Sequence, residues 1–364
     1  MKDPINRRKF LGLAAAGFGS ALLARFLSAC AGRTGANGTE GSAPATPTAE
    51  ATATVSISGP SPSPRPTDAA AATSTQTPEP AYLAVAHGGD DPEALVRSAV
   101  DALGGMRRFV PAGASVLIKP NICTADRSYE LAATTNPWVV AALVRMCREA
   151  DAGRVRVLDY PFFKSSQEAY VDSGIGEQVE AAGGEMILTS TSYTDSDGAY
   201  RWVDYGKWVD VELPEAKRLK SVQMIDEVLA ADVLINVPIA KDHDLTRLTL
   251  GMKNLMGVIH NRPAIHAWIA EKLPELAAFL RPALTVIDAV RILTAFGPRG
   301  DKTKNDVVKT DTVIASHDIV AADAYATSLF GLKPDDIEYI VKGAEAGLGT
   351  NDFSSIRIAD IPLG

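Results

Sequence analysis

Cysteine is scarce in this sequence of 364 residues, and several common catalytic motifs are missing. The three cysteines are Cys30, Cys123 and Cys147, and no two of them form a CxxC pair. We therefore expect no iron–sulfur cluster of the four-cysteine kind. The chain also contains no G-x-S-x-G elbow and no G-x-G-x-x-G or P-loop pattern. Neither a serine hydrolase of that type nor nucleotide binding by those motifs is supported.

The first 30 residues have the features of an export signal. Residues 6–11 read NRRKFL, a twin-arginine pattern, and a short apolar run follows. Leu27-Ser28-Ala29-Cys30 matches a lipobox, in which Cys30 becomes the lipidated first residue. The alternative is a transmembrane anchor, but the apolar run is shorter than the roughly 20 residues that a bilayer core requires. We predict twin-arginine export and a lipid anchor, on the outer face of the cell membrane or in the periplasm.

Residues 31 to about 80 are mostly Ala, Thr, Ser, Pro and Gly. Such a segment has little to bury, so it is predicted to be a disordered linker. Loss of residues 1–29 removes five cations and one carboxylate, which changes the net charge from −8 to −12. Nucleic acid is bound through clustered cations, so an anionic body argues against that class of partner.

Residues 81–364 alternate between β-type and helical segments, which predicts a layered α/β/α domain with a mostly parallel sheet. This part is long enough for one large domain or for two lobes. Residues 233–237 form an apolar run typical of a buried parallel strand, and Pro238 should end it. Asn136 is predicted to cap a helix that reaches Glu149, and Asp318 to cap another.

Residues 185–222 have a different pattern, in which aromatic and polar side chains alternate. This pattern predicts a small antiparallel β excursion. It is interpreted either as a cap over the site or as an extension of the main sheet.

Reactive side chains concentrate in the predicted loop after residues 233–237. Ligands in open α/β sheets bind outside the carboxyl ends of strands, so this loop is the best site candidate. Another predicted strand runs into Lys119 and should end at the same crevice. Cations and amides suit a carboxylate or phosphate. The predicted binding residues are Lys119, Asn121, Asn236, Lys241 and Asn254, although simple solvation is the usual alternative for a loop lysine.

His243 and Lys253 are the predicted catalytic residues. Imidazole titrates near neutrality, so His243 is the candidate general acid–base. Asp242 and Asp244 should raise its pKa if they approach the ring. A carboxylate within an apolar helix, Asp323, is predicted to pair with one of the site lysines because an unpaired buried charge is costly.

His243, His266 and Asp288 form a candidate divalent-metal site of nitrogen and oxygen ligands. The spacing of the histidines matches no compact metal motif. The alternative is one catalytic or hydrogen-bonding histidine, with the others on the surface.

Several of these segments together resemble the DUF362 family, over about residues 82–360. They include Lys241-x-His243, Lys253-Asn254-Leu255-Met256-Gly257, Leu158-Asp159-Tyr160-Pro161, Gly297-Pro298 and Gly347-Leu348-Gly349. The family has no assigned function. Many members resemble fusions with cysteine-rich ferredoxins, and this chain lacks those cysteines, so electron transfer is not implied. The resemblance supports the location of the site and leaves its chemistry open.

The sequence as a whole predicts an exported, membrane-tethered enzyme that acts on a small anionic substrate, with a divalent metal as a candidate cofactor. The alternative is a lipid-anchored solute-binding protein without catalysis. Turnover distinguishes the two, because an enzyme with His243→Gln should bind nearly as before and lose rate.

Overall fold

The computed structural model describes residues 79–301 and 306–364. The twin-arginine pattern, the lipobox at Cys30 and the linker lie outside these residues. No helix among the described residues is both long enough and apolar enough to cross a membrane.

A ten-stranded, mostly parallel sheet organises the domain, as the sequence predicts. Eight strands run in the order β14-β1-β13-β12-β9-β2-β3-β4, and β10 joins through β12 and carries β11. In the described part of this sheet, the antiparallel pairs are β1 with β13, β12 with β13, and β10 with β11. These strands are β1 (Leu83–Gly88), β2 (Ser115–Pro120), β3 (Arg154–Val157), β4 (Glu185–Met186), β9 (Val233–Val237), β10 (Ile239–His243), β11 (Arg247–Thr249), β12 (Leu284–Leu293), β13 (Val307–Ser316) and β14 (Ile358–Leu363).

Helices cover both faces of the sheet, because alternate residues of the central strands point to opposite sides. In β2, Val116 and Ile118 join one apolar core and Leu117 the other. One core lies under α1 to α4 and the other under α8 to α10. The helices are α1 (Pro92–Ala102), α2 (Pro137–Glu149), α3 (Ser166–Asp172), α4 (Ile175–Ala181), α5 (Asp226–Leu229), α6 (Gly251–Asn254), α7 (Pro263–His266), α8 (Ile269–Leu280), α9 (Ile319–Ala326) and α10 (Glu338–Glu345).

The two predicted helix caps are confirmed. The Asn136 side chain accepts the Trp138 N–H at 3.0 Å, and Pro137 occupies the first turn of α2. Asp318 accepts the Val320 and Ala321 N–H groups at 2.8 and 2.9 Å at the start of α9. Each cap satisfies backbone donors that have no partner within the helix.

The prediction of a loop directly after Pro238 is wrong for residues 239–243. The chain leaves β9 at Pro238 and continues as β10, so Lys241 and His243 lie on a strand. The reason is the length of β12, which pairs with β9 in its first half and with β10 further on. The pairing of β10 with β12 contains a register shift between Ile239 and Lys241.

The antiparallel excursion is confirmed from residue 190 on as two hairpin-like pairs outside the main sheet, whereas residues 185 and 186 form β4 and pair parallel with β3. β5 (Ser190–Thr194) pairs with β6 (Tyr200–Asp204), and β7 (Trp208–Glu212) pairs with β8 (Ser221–Ile225). The Trp208 ring packs against Tyr160, which follows β3, with centroids 4.9 Å apart. The excursion therefore lies against the loops at the strand ends and does not extend the ten-stranded sheet.

Candidate anion-binding site

A buried ion pair forms the base of the site, where β2 and β3 end. The Lys119 ammonium is fully buried and donates to Asp159 Oδ1 at 2.6 Å, Pro120 O at 2.7 Å and Asn254 Oδ1 at 3.0 Å. Burial lowers the pKa of Lys119, and the Asp159 carboxylate opposes that effect. All three N–H groups of this lysine are used inside the protein, so it supports the site from beneath.

Asparagine side chains connect the neighbouring strand ends to this pair. Asn254 Nδ2 donates to Asn236 Oδ1 at 2.9 Å and to Lys119 O at 3.2 Å. Asn121 Nδ2 donates to Asn254 Oδ1 at 3.0 Å, and Asn236 Nδ2 donates to Gly251 O at 3.0 Å. The structure thus brings the predicted asparagines together, and the polar groups of Asn236 and Asn254 are occupied within the network.

Lys241 is the second buried lysine, and its ammonium is also fully occupied. It donates to Ala133 O at 2.6 Å, Asn121 Oδ1 at 2.9 Å and Pro298 O at 3.0 Å. Burial lowers the pKa of Lys241, and Cys123 opposes the shift. Like Lys119, it contributes positive charge to the site without an N–H left for a ligand.

Gly257 has no room for a side chain, because the ion pair packs directly against it. A Cβ at this position would lie 2.0 Å from Asp159 Oδ1 and 2.5 Å from Lys119 Nζ. The Gly257 carbonyl also accepts the Tyr160 N–H at 3.1 Å. The glycine of the Lys-Asn-Leu-Met-Gly segment is therefore explained by the close approach of Lys119 and Asp159.

Lys253 differs from the other two site lysines. Its side chain is only partly buried, and no hydrogen bond or ion pair within the described residues involves its ammonium. Burial, followed by the charges of Lys241 and Arg262, lowers the pKa of Lys253 to about 8. Lys253 is consequently the site lysine available to a ligand.

Arg262 is a site residue that the sequence analysis missed. Its Nη2 donates to Pro161 O at 2.9 Å, and its guanidinium lies 4.7 Å from the centroid of the Tyr160 ring. Burial lowers the pKa of Arg262, and the Asp159 carboxylate opposes the shift. An arginine directly after a histidine and an asparagine gives no periodic signal, so its proximity to Asp159 could not be read from the sequence.

Four cations define what we call the cationic cluster: Lys119, Lys241, Lys253 and Arg262. The charge of Arg262 acts on Lys119 and on Lys253, and the charge of Lys241 acts on Lys253. Among the described residues, Asp159 is the one carboxylate that forms an ion pair with a member of the cluster. The cluster keeps an excess of positive charge in a poorly solvated place, and an anion would reduce that cost.

His243 adjoins the cationic cluster as a neutral imidazole. Burial, and then the charges of Lys253 and Lys241, lower the pKa of His243 to about 3. The predicted increase is therefore wrong, since Asp244 is exposed and Asp242 accepts the Gly297 N–H at 2.8 Å. Asp244 Oδ1 lies 2.9 Å from Nδ1, but this contact is not a hydrogen bond in the neutral ring, because Nδ1 accepts the Leu245 N–H.

The tautomer of His243 follows from its hydrogen bonds. Nδ1 accepts the Leu245 N–H at 3.0 Å, which places the ring proton on Nε2. No hydrogen bond within the described residues uses Nε2. His243 also lines a cleft of about 480 Å³ with Asp242, Arg247 and Phe330. The ring thus offers one free N–H donor.

The structure does not bring His243, His266 and Asp288 together as a metal site. Asp288 is fully buried, and its carboxylate accepts the Asn136 and Val290 N–H groups at 2.6 and 3.0 Å. His266 is exposed, and burial followed by the charge of Lys253 lowers its pKa. Among the described residues, no group of three or more His, Cys, Asp or Glu side chains is arranged to hold a metal ion.

Asp323 does not pair with a site lysine, contrary to the sequence prediction. Its Oδ1 accepts the Gly251 N–H at 2.6 Å, and its Oδ2 accepts the Met252 N–H at 2.9 Å. The carboxylate therefore caps α6, the short helix that carries Lys253 and Asn254. Burial raises the pKa of Asp323 to about 7, and the two backbone donors oppose the shift.

Cys123 and Cys147 are both buried free thiols in this structure. Cys123 follows β2, and its Sγ lies 3.4 Å from Pro298 O, the carbonyl that also accepts from Lys241. Cys123 thus lies at the site, whereas burial in the apolar core raises the pKa of Cys147 to about 12. Neither thiol has the other as a partner.

The chain is similar in sequence to a known protein. It is 28% identical over 268 residues to the Thylakoid-associated protein sll1697 of Synechocystis sp. (strain ATCC 27184 / PCC 6803 / Kazusa), and the aligned region covers 70% of this chain and 75% of that protein. The structure of the lactate racemase apoprotein from Thermoanaerobacterium thermosaccharolyticum matches with a TM-score of 0.35 and 11% identity, over 64% of this chain. The match spans 54%, about half, of the racemase chain.

A family model described as a domain of unknown function matches residues 116–328, more than half of the chain. The matched segment includes all four residues of the cationic cluster. The chain therefore belongs to the DUF362 family.

Proposed function

We propose that this protein binds a small carboxylate or phosphate at the cationic cluster and adds a proton to the bound molecule or removes one from it. The observation that carries the proposal is the contrast among three lysines. Lys119 and Lys241 each donate three hydrogen bonds inside the protein, whereas Lys253 donates none within the described residues. A partly exposed cation without a partner, beside three others, is suited to an external anion.

The proton-transfer role belongs to Lys253 rather than to His243 in this proposal. A general acid–base works best when its pKa lies near the operating pH, and the pKa of Lys253 is lowered by burial to about 8. His243, whose pKa burial lowers to about 3, stays neutral and offers Nε2–H as a hydrogen-bond donor. A donor of this kind stabilises negative charge that develops on a substrate oxygen.

Anion binding should depend on the charge of Lys253. We expect phosphate and acetate to bind more weakly as the pH rises through about 8, because deprotonation of the Lys253 amine removes the free cation. Lys253→Met should abolish binding, and Lys253→Arg should retain it without the loss near pH 8. Calorimetric titration of the full chain measures both effects. Lys272→Met is the control, since the exposed Lys272 ammonium only donates to Ala264 O.

Equal anion affinity in wild type and Lys253→Met would contradict the proposed site. The alternative function, a solute-binding protein without catalysis, predicts binding without chemistry. Exchange of a carbon-bound proton of a bound acid with deuterated solvent, followed by NMR, separates the two. An enzyme should show exchange that Lys253→Arg loses while binding remains.

We further propose that the protein is exported by the twin-arginine route and anchored through lipid on Cys30. The lipobox and the twin-arginine pattern support this proposal, as does the thylakoid association in the name of the Synechocystis relative. Changing Arg7 and Arg8 to Lys should retain the precursor inside the cell, and Cys30→Ala should release the protein from membrane fractions. Fractionation with immunoblotting checks both, and unchanged export of the Lys-Lys variant would contradict the route.

A further inference from the structure

The Lys253 amine has the surroundings of a nucleophile as well as those of an anion ligand. It is reachable from solvent and is held at the end of α6, whose backbone is fixed by the buried Asp323 carboxylate. The next residue, Asn254, is locked into the network with Lys119 and Asn236. The amine therefore projects from a rigid base and has no competing partner among the described residues.

The charged groups around Lys253 favour its neutral, nucleophilic form. A lysine becomes a nucleophile when it is desolvated or placed beside other cations. Burial lowers the pKa of Lys253 from the usual 10.5 to about 8, and nearby cations add to this effect. The charges of Lys241 on β10 and Arg262 before α7 lower the pKa, whereas Cys123 after β2 and Asp244 after β10 oppose the shift. His243 and His266 also face Lys253.

Side chains near Lys253 can bind both an acid group and a carbonyl oxygen of a ligand. Arg262 makes one hydrogen bond within the described residues, to Pro161 O, so most donors of its guanidinium are available to a carboxylate. His243 presents Nε2–H, which can donate to a carbonyl oxygen. Arg262 is near enough for its charge to act on Lys253. An acid group bound by Arg262 should therefore lie close to the carbonyl carbon that Lys253 attacks.

We propose that Lys253 forms an imine with a small 2-oxo acid. This inference rests on the proposed function and names the substrate class of the same site. The neutral Lys253 nitrogen attacks the carbonyl carbon, and a C–N bond forms as the π bond of the carbonyl breaks and its electron pair moves to the oxygen. The two protons of the amine are transferred to that oxygen. The oxygen then leaves as one water molecule, and the C=N bond is complete. The step needs no oxidant or reductant.

Reductive trapping with borohydride tests the imine directly, because the hydride converts the C=N bond to a stable secondary amine. The full chain is incubated with pyruvate and sodium borohydride, and peptide mass spectrometry locates the adduct. Propionate, which has the same carbon number and acid group but no carbonyl, is the matched probe for anion binding. We expect both acids to raise the melting temperature and only pyruvate to leave an adduct, on Lys253.

The pH dependence of trapping distinguishes Lys253 from an ordinary surface lysine. With pyruvate kept at a saturating concentration at each pH, its trapping rate should rise with pH and level off above about 8, since the pKa of Lys253 is lowered by burial. Lys342, exposed and paired with Glu345 at 2.8 Å, is the internal comparison and should react slowly across this range. An adduct spread equally over Lys253 and Lys342 would overturn the proposal.

Two further results separate this proposal from the proposed function. Stabilisation by both acids without an adduct on Lys253 would overturn the imine and leave the anion site intact. Stabilisation by neither acid, with no adduct, would overturn both. Lys253→Arg should keep the stabilisation by propionate and lose the pyruvate adduct. If that variant fails to fold, the position of the adduct in the wild-type peptide map still decides the question.

Discussion

Lys119→Met is expected to lower the free energy of unfolding by about 3–5 kcal/mol, the usual cost of breaking a buried ion pair on one side. The substitution leaves the Asp159 carboxylate buried, with only the Ile122 and Tyr160 N–H groups as partners. Asn254 Oδ1 and Pro120 O also lose a donor. Chemical denaturation followed by circular dichroism measures the loss.

A double-mutant cycle isolates the pair from its neighbours. Asp159→Asn should also destabilise strongly, because the Lys119 ammonium then stays buried without its counterion. The double variant should be more stable than the sum of the single effects predicts, by about 1–3 kcal/mol. Additive effects would mean that Lys119 and Asp159 do not interact in the folded protein. The exposed pair Arg107 and Asp151 is the control, with a coupling below about 1 kcal/mol.

Asp323→Asn should destabilise the protein by about 1–3 kcal/mol at pH 5, because one buried N–H of Gly251 or Met252 would face an amide donor. The effect should become smaller as the pH rises. Burial raises the pKa of Asp323 from 3.8 to about 7, so the folded protein binds a proton that the unfolded chain has lost. Wild-type stability therefore falls between about pH 4 and pH 7, and the asparagine variant lacks this contribution.

Asp288 also lowers the stability of the wild type as the pH rises, in the same direction as Asp323. Burial raises its pKa to about 6, so its effect is complete one pH unit earlier than that of Asp323. Asp288 is present in both proteins, so it lowers the stability of each equally. Denaturation at pH 5, 6, 7 and 8 should therefore show the wild type and the Asp323→Asn variant converging up to about pH 7, with no further change above it. Asp352→Asn is the control, since this exposed carboxylate caps Ser354 at the surface. A constant difference across the pH range would contradict a raised pKa at Asp323.

The layered architecture was predictable because it depends on local patterns. The β-type runs and helical segments alternate in order, and a mostly parallel sheet follows from that alternation. The caps at Asn136 and Asp318 were predictable for the same reason, since a cap bonds to donors two or three residues away. The strand β10 was not, because it depends on pairing with β12, about fifty residues further along the chain.

The proximity of Lys119 and Asn236 at neighbouring strand ends was predictable, and the contacts of Arg262 and Asp323 were not. The ends of β2 and β9 lie side by side with Lys119 opposite Asn236, as expected for parallel strands. Arg262 and Asp323 acquire their roles from contacts across the fold, the first with Pro161 and the second with α6. The environment of His243 likewise reverses the expected direction of its pKa shift.

The sequence by itself determined the α/β/α class, the family resemblance and the concentration of Lys, His and Asn at strand ends. Only the tertiary structure decided which of the three lysines lacks a hydrogen-bond partner among the described residues. Lys119, Lys241 and Lys253 are chemically identical in the sequence, but five of the six acceptors that occupy the first two lie 40 to 135 residues away. The acceptors that satisfy a buried ammonium come mostly from distant parts of the chain. The fold supplies such acceptors to Lys119 and Lys241, and Lys253 remains available.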